Sequence, residues 1–469
     1  MSVVPETTQT EVIFPKIKPP LHQNQAVIEA SRCLFCHDAP CIQACPTSID
    51  IPMFIRQIMT HNTAGAAKTI FTQNIMGRAC AYVCPTEVLC EGACVYNDLN
   101  EKPIDIGRLQ GFATDAAIAN NWQFFEANDQ TETPLNKKVA IIGGGPSGLA
   151  CAHELTRLGV KAVVFEASEH AGGLNTYGVA PYKYGNNDSI AEVAYLQQIG
   201  FEIQTHTRVI SQDSPQDKSF SGKTISIEAL DAEYDAIFIG AGLGKSKRLG
   251  LPGEHFQNIH GAAEFIYTVR KLGPANVSIG QKVLVIGAGN TAIDASVQSA
   301  KLGAEVMLVY RRTQQDQSAY YFEVELARLN GVQFKYQASP VEVLGTSEGL
   351  VSGVRFVKNQ LGAPDSLGKQ SMEPVAGSEF DLPCDTVIFA TGQEKLVEFY
   401  RNIAHLELEN GKIKVNDCYQ THNPKYFAGG DCVNGGKEVV NAVAHGRDAA
   451  RGIAQYLKSS ISARTVSHV

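Results

Sequence analysis

Residues 138–168 read KVAIIGGGPSGLACAHELTRLGVKAVVFEAS. An apolar run ends in a cluster of glycines, a helical pattern follows, and a second apolar run ends at Glu166. A glycine turn between strand and helix lets the backbone approach a pyrophosphate, and an acid after the second strand can accept hydrogen bonds from a ribose. The stretch therefore predicts a strand–helix–strand unit that binds a dinucleotide, with its turn at Gly143, Gly145 and Gly148.

The same pattern returns at residues 281–312, QKVLVIGAGNTAIDASVQSAKLGAEVMLVYRR. Its turn contains Gly287 and Gly289, and Ala292 stands at the third position, where alanine still allows close packing of helix and strand. Two such units that differ in detail predict two different dinucleotides on one chain. This indicates a flavoprotein that takes a hydride from a nicotinamide.

The second unit lacks the ribose-binding acid. The position that corresponds to Glu166 is Tyr310, and Arg311 and Arg312 follow it. Two guanidinium groups in place of a carboxylate suit a 2′-phosphate, which favours NADPH at this turn. The alternative is that the two arginines form a solvated face and that the choice of cofactor is loose.

Composition limits the class of protein. The 469 residues carry 40 Lys and Arg against 48 Asp and Glu, a formal net charge of −8. This balance argues against a nucleic-acid surface, which needs clustered basic side chains. No apolar run approaches the ~20 residues that span a bilayer, and the N-terminus shows no signal-peptide pattern. We therefore expect a cytoplasmic protein without a membrane or nucleic-acid partner, in a compartment where disulfides are rare.

The cysteines are concentrated near the N-terminus. Of the 12 cysteines, eight lie between residues 33 and 94: Cys33, Cys36, Cys41, Cys45, Cys80, Cys84, Cys90 and Cys94. In a reducing compartment such clustering indicates metal, either zinc in thiolate sites or iron–sulfur clusters. Cys-Pro closes two of the runs, as in ferredoxins, and iron–sulfur would also give a flavin an outlet for single electrons. Iron–sulfur is therefore the favoured interpretation.

Further segments resemble the two-dinucleotide-domain flavoproteins of the glutathione-reductase type. YDAIFIGAG (234–242) and DTVIFATG (385–392) predict short buried strands that end in glycine, and residues 425–450 contain Gly430 and Asp431 before a helix. The resemblance implies that Asp431 holds the ribityl chain of FAD and that the nicotinamide domain is an insertion within the FAD domain. No Cys-x-x-Cys lies in this half, so a disulfide reductase is not expected.

We therefore predict an α/β fold in which two Rossmann-like nucleotide-binding domains follow an α-helical iron–sulfur domain. The predicted boundaries are 1–130 for the α-helical domain with two [4Fe–4S] clusters, 137–245 for the first part of the FAD domain, 246–383 for the NAD(P)H domain and 384–460 for the second part of the FAD domain.

Two local predictions concern the first domain. Residues 1–24 contain several prolines and are predicted as an extended arm. Residues 50–62, DIPMFIRQIMTHN, predict an amphipathic helix with Met53, Ile55, Ile58 and Met59 on its buried face.

Three N-terminal segments carry a closer resemblance: SRCLFCHDAPCIQACPTSIDIPMFI (31–55), AAKTIFTQNIMGRACAYVCPTEVLCEGAC (66–94) and PIDIGRLQGFATD (103–115). They are similar to the N-terminal half of dihydropyrimidine dehydrogenase, and most of all to the separate FAD subunit of the two-subunit bacterial enzyme. They are less closely similar to the small subunit of glutamate synthase.

The resemblance implies the ligands of two [4Fe–4S] clusters. One cluster is assigned to Cys33, Cys36, Cys41 and Cys94, and the other to Cys45, Cys84, Cys90 and the side chain of Gln110. Counting cysteines alone would choose Cys80 in place of Gln110. Glutamate synthase small subunits resemble this pattern but carry a glutamate at the position of Gln110.

The resemblance also implies the dinucleotide contacts. For FAD they are Gly143, Gly145, Pro146, Ser147, Gly148, Glu166, Gly173, Leu174, Lys183, Val209, Gly430 and Asp431. For the nicotinamide they are Gly287, Ala288, Gly289, Asn290, Thr291, Arg311, Arg312, Ala390, Thr391 and Gly392. Lys183 and Ser318 stand where the relatives have arginines. The second replacement weakens the argument for a 2′-phosphate, so NADPH and NADH both remain candidates.

The predicted function is oxidation of NAD(P)H, with electrons passing through FAD and the two clusters to a partner subunit. No catalytic side chain is assigned, because stacking of the nicotinamide on the flavin is expected to suffice for hydride transfer. The resemblance implies a hetero-oligomer with an FMN-containing, PreA-like subunit that reduces uracil or thymine to dihydropyrimidines. The alternatives are a glutamate synthase small subunit, or a zinc-stabilised, non-catalytic docking flavoprotein.

Overall fold

The computed structural model describes residues 9–131, 134–211, 220–364 and 370–466. The α-helices in these ranges are α1 (Gln9–Ile13), α2 (Gln23–Ser31), α3 (Pro40–Gln43), α4 (Ile51–Met59), α5 (Thr63–Gln73), α6 (Gly77–Val83), α7 (Ile106–Ala119), α8 (Pro146–Arg157), α9 (Leu174–Tyr177), α10 (Asn186–Gln197), α11 (Ile227–Glu233), α12 (Ala262–Leu272), α13 (Asn290–Lys301), α14 (Tyr321–Leu329), α15 (Val397–Arg401), α16 (Asp431–Asn434) and α17 (Val439–Val466).

The strands are β1 (Lys138–Ile142), β2 (Lys161–Phe165), β3 (Glu202–Gln204), β4 (Thr207–Ile210), β5 (Lys223–Ser226), β6 (Ala236–Ile239), β7 (Ile259–Gly261), β8 (Lys282–Ile286), β9 (Glu305–Val309), β10 (Gln333–Lys335), β11 (Ala338–Gly345), β12 (Val351–Pro364), β13 (Gln370–Pro374), β14 (Phe380–Pro383), β15 (Thr386–Phe389), β16 (Leu408–Glu409), β17 (Lys412–Ile413) and β18 (Tyr426–Ala428). In these ranges no helix combines the length and the apolar composition that a membrane span needs.

The described residues form two compact units. The larger unit contains residues 17–176, 183–243 and 395–466, apart from the gaps given above, and the smaller unit contains residues 9–16, 177–182 and 244–394 with its own gap. The domain boundaries predicted from the sequence remain predictions.

The larger unit is built on a parallel sheet with the strand order β18-β6-β1-β2-β3. β1 is central, and Val139 lies opposite Ala162 of β2 and Ala236 of β6. Apart from Lys138, the residues of β1 are all buried, as a parallel sheet covered on both faces requires. The prediction of a strand, glycine turn, helix and strand at 138–165 is confirmed.

The cysteine-rich part of the larger unit is helical. Asp50 caps α4 by accepting a hydrogen bond from Met53 N at 3.1 Å, and Pro52 lies in the first turn, where its missing N–H costs nothing. Ile55 and Ile58 are buried as predicted and Met59 is half-buried, but the prediction for Met53 is wrong, because its side chain is 44% exposed. Phe54 takes the core position, since it lies on the same helical face as Ile58.

The smaller unit contains a second parallel sheet with the order β10-β9-β8-β15-β7, and an antiparallel group in which β12 pairs with β11, β13 and β14. The second strand–helix–strand prediction, at 282–309, is confirmed by β8, α13 and β9. The predicted extended arm is wrong for residues 9–13, which form α1, while residues 1–8 lie outside the described ranges. Phe14, directly after α1, is buried in the core of the smaller unit.

Candidate functional site: two thiol-lined cavities and two glycine turns

Four thiols from two parts of the chain line one cavity in the larger unit. Cys33 and Cys36 lie in the loop between α2 and α3, Cys41 lies in α3, and Cys94 comes from the segment between α6 and α7. They line a cavity of about 30 Å³, with Ile51 among its apolar walls. The structure thus brings together the first predicted ligand set.

Burial and mutual repulsion disfavour ionisation of the thiols that line the first cavity. Burial is the main cause that raises the pKa of Cys33 and that raises the pKa of Cys41 to about 12. Neighbouring thiols, Cys94 among them, raise both pKa values further, because anionic sulfurs repel one another. Thiols of this kind ionise together when a metal centre supplies the compensating positive charge.

A second cavity, of about 20 Å³, is lined by four thiols and one amide: Cys45, Cys80, Cys84, Cys90 and Gln110. A hydrogen bond with Cys80, together with burial, raises the pKa of Cys84, and burial raises the pKa of Cys90. The second predicted ligand set is therefore also brought together. Cys80 lines the same cavity, so the lining alone does not decide whether Cys80 or Gln110 is the fourth ligand.

Gln110 presents one possible ligand atom. Its side chain is buried in α7, and Nε2 donates a hydrogen bond to the carbonyl oxygen of Gly77 at 2.6 Å. An amide nitrogen carries no lone pair for a metal, so Oε1 is the atom that can bind iron.

The donor sets fit clusters rather than single ions. Among the described residues, no three His, Cys, Asp or Glu side chains are arranged to hold one metal ion, although four thiols line each of the two cavities. A [4Fe–4S] cluster takes one ligand at each of its iron atoms, and such spaced donors suit it. Ile51 lines both cavities, so the two sites are neighbours.

The first glycine turn lies at the carboxyl end of the central strand β1. Gly143 has φ +99°, and an added Cβ there would lie 2.5 Å from Gly240 O, so only glycine fits. At Gly145 an added Cβ would meet nothing closer than 3.9 Å, which leaves this side of the turn open to a ligand. Pro146 and Gly148 belong to the first turn of α8, whose N-terminus attracts anions.

Glu166 is held beside the first glycine turn. Its two carboxylate oxygens accept hydrogen bonds from Gly144 N at 2.8 Å and Ser168 N at 2.7 Å. The side chain is 8% exposed. A carboxylate fixed in this way is ready to accept hydrogen bonds from a diol.

The segment 429–431 joins the same site. Ser147 Oγ donates to the carbonyl oxygen of Gly429 at 3.3 Å, and Gly430 has φ +77°. Asp431 begins α16 and accepts a hydrogen bond from Lys437 N at 3.3 Å, while burial raises the pKa of its carboxyl group.

The other residues assigned to FAD have mixed surroundings. Gly173 packs against the turn, because an added Cβ there would lie 2.8 Å from Gly145 Cα. Lys183 is buried, Val209 is half-buried in β4, and Leu174 is 46% exposed.

The second glycine turn belongs to the smaller unit. Gly287 has φ +136°, and an added Cβ would lie 2.3 Å from Ala390 O. Ala288 is buried, Asn290 Oδ1 accepts from Tyr320 N at 3.0 Å, and Thr291 is exposed on the first turn of α13. Gly289 is open, since the nearest atom to an added Cβ is Ser318 Oγ at 3.5 Å.

Arg311 and Arg312 are both exposed after β9 and line a wide groove. After β15, Ala390 N donates to Ile286 O at 2.8 Å and Thr391 Oγ1 donates to Lys247 O at 2.7 Å. Gly392, with φ +95°, closes this segment. The predicted nicotinamide residues therefore gather at the carboxyl ends of β8, β9 and β15.

The sequence did not predict three residues near the second cavity: Lys18, Asn74 and Val440. Asn74 and Val440 line the cavity, and Lys18 Nζ donates to Thr86 Oγ1 at 3.0 Å beside Cys84. Val440 and Lys18 lie far from the cysteines in sequence, and no spacing rule connects them to the site.

Two protein-family models match the chain. Residues 137–446 match the model described as "Pyridine nucleotide-disulphide oxidoreductase". Residues 10–122 match the model described as "Dihydroprymidine dehydrogenase domain II, 4Fe-4S cluster". The second description favours iron–sulfur over the zinc alternative.

Similar proteins are found among curated sequences and solved structures. The glutamate synthase [NADPH] small chain of Escherichia coli K12 is 35% identical over 463 residues, which cover 96% of this chain and 95% of the relative. The NAD-dependent dihydropyrimidine dehydrogenase subunit PreT of Escherichia coli O157:H7 is 34% identical over 460 residues, which cover 98% of this chain and 100% of the relative. The structure of Mycobacterium tuberculosis FprA in complex with NADPH matches with a TM-score of 0.57 at 18% identity, covering 71% of this chain and 86% of FprA. The last match supports the fold alone.

Proposed function

The chain belongs to the pyridine nucleotide-disulphide oxidoreductase family, and from this premise we propose that it is the FAD and iron–sulfur subunit of a two-subunit dihydropyrimidine dehydrogenase. It is an NAD(P)-dependent oxidoreductase whose cofactors are FAD, a nicotinamide dinucleotide and 4Fe–4S iron–sulfur. In the proposed complex, an FMN-containing, PreA-like partner in the cytoplasm receives the electrons and reduces uracil or thymine.

A bound FAD would supply hydride chemistry toward the nicotinamide and single-electron chemistry toward iron–sulfur clusters. Gly145 and the N-terminus of α8 would hold its pyrophosphate, Glu166 a ribose, and Asp431 the ribityl chain. The turn at Gly287 and Gly289 would hold the nicotinamide dinucleotide. The exposed pair Arg311 and Arg312 supports NADPH.

A short segment of the larger unit, residues 431–440, supports the cluster proposed in the second cavity as the first acceptor of electrons from FAD. Lys437 N contacts the Asp431 carboxylate, and three residues later the buried Val440 lines the second cavity and packs against Cys80 and Cys84. The proposed FAD contact and the proposed cluster thus lie at the two ends of one short segment.

Hydrogen bonds from Arg447 of α17 hold the helix in which Val440 lies. Arg447 donates to Thr47 O at 3.1 Å, to Gln73 O at 2.9 Å and to Gln73 Oε1 at 3.0 Å. Both acceptor residues belong to the cysteine-rich part, which therefore stays fixed against α17. The shared wall at Ile51 supports passage from the second cavity to the first.

The choice between the two candidate partners rests on Gln110. It lines the second cavity with its amide nitrogen occupied by Gly77 O. The resemblance assigns a glutamine ligand to dihydropyrimidine dehydrogenases and a glutamate at this position to glutamate synthase small subunits. A glutamate synthase small subunit is the second candidate, because that relative has 35% identity against 34% for PreT.

Purification of the native complex without oxygen tests the proposal. We expect an FMN-containing partner, and oxidation of NADPH or NADH that requires uracil or thymine when the two subunits are combined. The chain alone should oxidise either nicotinamide with an artificial electron acceptor and should not respond to pyrimidines. A large amidotransferase subunit as partner, with no response to pyrimidines, would support the second candidate and overturn the first.

A further inference from the structure

An asparagine whose side-chain nitrogen has no hydrogen-bond partner among the described residues lines the second cavity. Asn74 directly follows α5, is fully buried with 0% exposure, and lines the cavity with Cys45, Cys84 and Gln110. Its Oδ1 accepts a hydrogen bond from Met76 N at 3.1 Å, while Nδ2 has no partner in the described part of the chain.

The bond from Met76 N fixes the orientation of this amide. A backbone N–H can only donate, so the side-chain atom that it meets must be the carbonyl oxygen of Asn74. The nitrogen is then the atom without a partner. Because native proteins rarely leave a buried donor unpaired, an acceptor is expected inside the cavity.

We propose that Asn74 Nδ2 donates a hydrogen bond to a sulfur of the iron–sulfur cluster in the second cavity and thereby raises the reduction potential of that cluster. The inference rests on the proposed function, since the acceptor is a cysteinate or sulfide sulfur of the bound cluster. These sulfurs become more negative when the cluster gains an electron, so a donor stabilises the reduced form. Asn74 is thus a positioning residue that does not bind iron.

The variant Asn74→Leu removes the donor and keeps the branching and the number of side-chain heavy atoms. In a potentiometric titration followed by EPR, we expect the midpoint potential of one cluster to fall and that of the other to stay unchanged. A tenfold change in the reduction equilibrium corresponds to about 59 mV for one electron. Equal potentials in the variant and the wild type, with both clusters assembled, would overturn the proposal.

The matched control lies at the other end of the same helix. Asn62 caps the N-terminus of α5, where its Oδ1 accepts from Gly65 N at 2.9 Å, and it is exposed and lines neither cavity. Asn62→Leu therefore removes a comparable helix-end hydrogen bond without touching a cluster. We expect both midpoint potentials to be unchanged in this variant.

A measurement on the wild type keeps the test decisive if Asn74→Leu does not assemble its clusters. In protein with nitrogen-15 only in asparagine side-chain amides, pulsed EPR of the reduced state should detect nitrogen-15 coupling to one cluster, and no coupling would contradict the proposal. Iron and sulfide analysis separates the two failures. A wild type without iron–sulfur contradicts the proposed function, whereas intact clusters without coupling contradict only the role of Asn74.

Discussion

At the scale of single residues, His153 makes folding sensitive to acid. Its ring packs edge-on to Phe125 at 5.8 Å on the buried side of α8. Burial, and then the positive charge of Arg157, lower the pKa of His153 from the ordinary 6.5 to about 3. Below about pH 6.5 the unfolded chain binds a proton that the folded chain excludes until about pH 3. Stability is therefore lost as the pH falls through this window, at about 1.4 kcal/mol per pH unit.

We expect His153→Phe to lose less stability than the wild type between about pH 6 and pH 4, because that site no longer takes up a proton on unfolding. Urea unfolding followed by circular dichroism at each pH measures the difference. His206→Asn, a change at an exposed histidine with φ +49° that asparagine tolerates, is the control substitution. Parallel pH curves for wild type and His153→Phe would contradict this account.

The residues of the second cavity show what a single sequence can reveal about a site. Thiols indicate metal by their type and spacing, so Cys84 and Cys90 could be predicted directly. Gln110 could be predicted only from the family resemblance, because glutamines are common and counting would have selected Cys80. Asn74 could not be predicted at all, since its unpaired nitrogen is a property of three-dimensional packing.

At the scale of secondary-structure elements, α1 contributes to the smaller unit through the residue that follows it. Phe14 is 1% exposed, and its ring lies 6.3 Å from that of Tyr182 in a shared core. We expect Phe14→Ala to cost about 3–5 kcal/mol, the usual range for a buried phenylalanine. Hydrogen exchange should become faster in β8 and β15, while β1 of the larger unit keeps its protection.

Val12 provides the control for this prediction. It lies on α1 and is 69% exposed, so Val12→Ala should change stability by no more than about 0.5 kcal/mol. If Phe14→Ala exchanged no faster than Val12→Ala in β8 and β15, the helix would be dispensable for the smaller unit.

Local elements could be predicted where the pattern itself is local. Both glycine turns lie between an apolar strand and a helix, and all these elements formed where the sequence indicated. The failure at α1 has a physical cause, because Phe14 is buried by residues such as Tyr182 that are distant in sequence. For the same reason, the packing of Val440 against Cys84 could not be predicted.

At the scale of the whole molecule, the two units divide the proposed chemistry. The larger unit contains both thiol-lined cavities and the first glycine turn, and the smaller unit contains the second glycine turn. The fold class could be predicted, because each glycine turn indicates a strand–helix–strand unit and therefore a separate parallel sheet. The proposed partner could not be derived from the residues alone, since only the family resemblance assigns the pyrimidine-reducing chemistry to a second subunit.

The central claim is that electrons from a nicotinamide reach iron–sulfur clusters held by both cavities. The most direct measurement is an anaerobic titration of the purified chain with NADPH and with NADH, followed by EPR and combined with iron analysis. We predict about eight iron atoms per chain, as two [4Fe–4S] clusters require, and EPR signals of reduced clusters after addition of at least one nicotinamide. A chain that contains zinc in place of iron, or whose clusters stay oxidised with both nicotinamides while dithionite reduces them, would contradict the account.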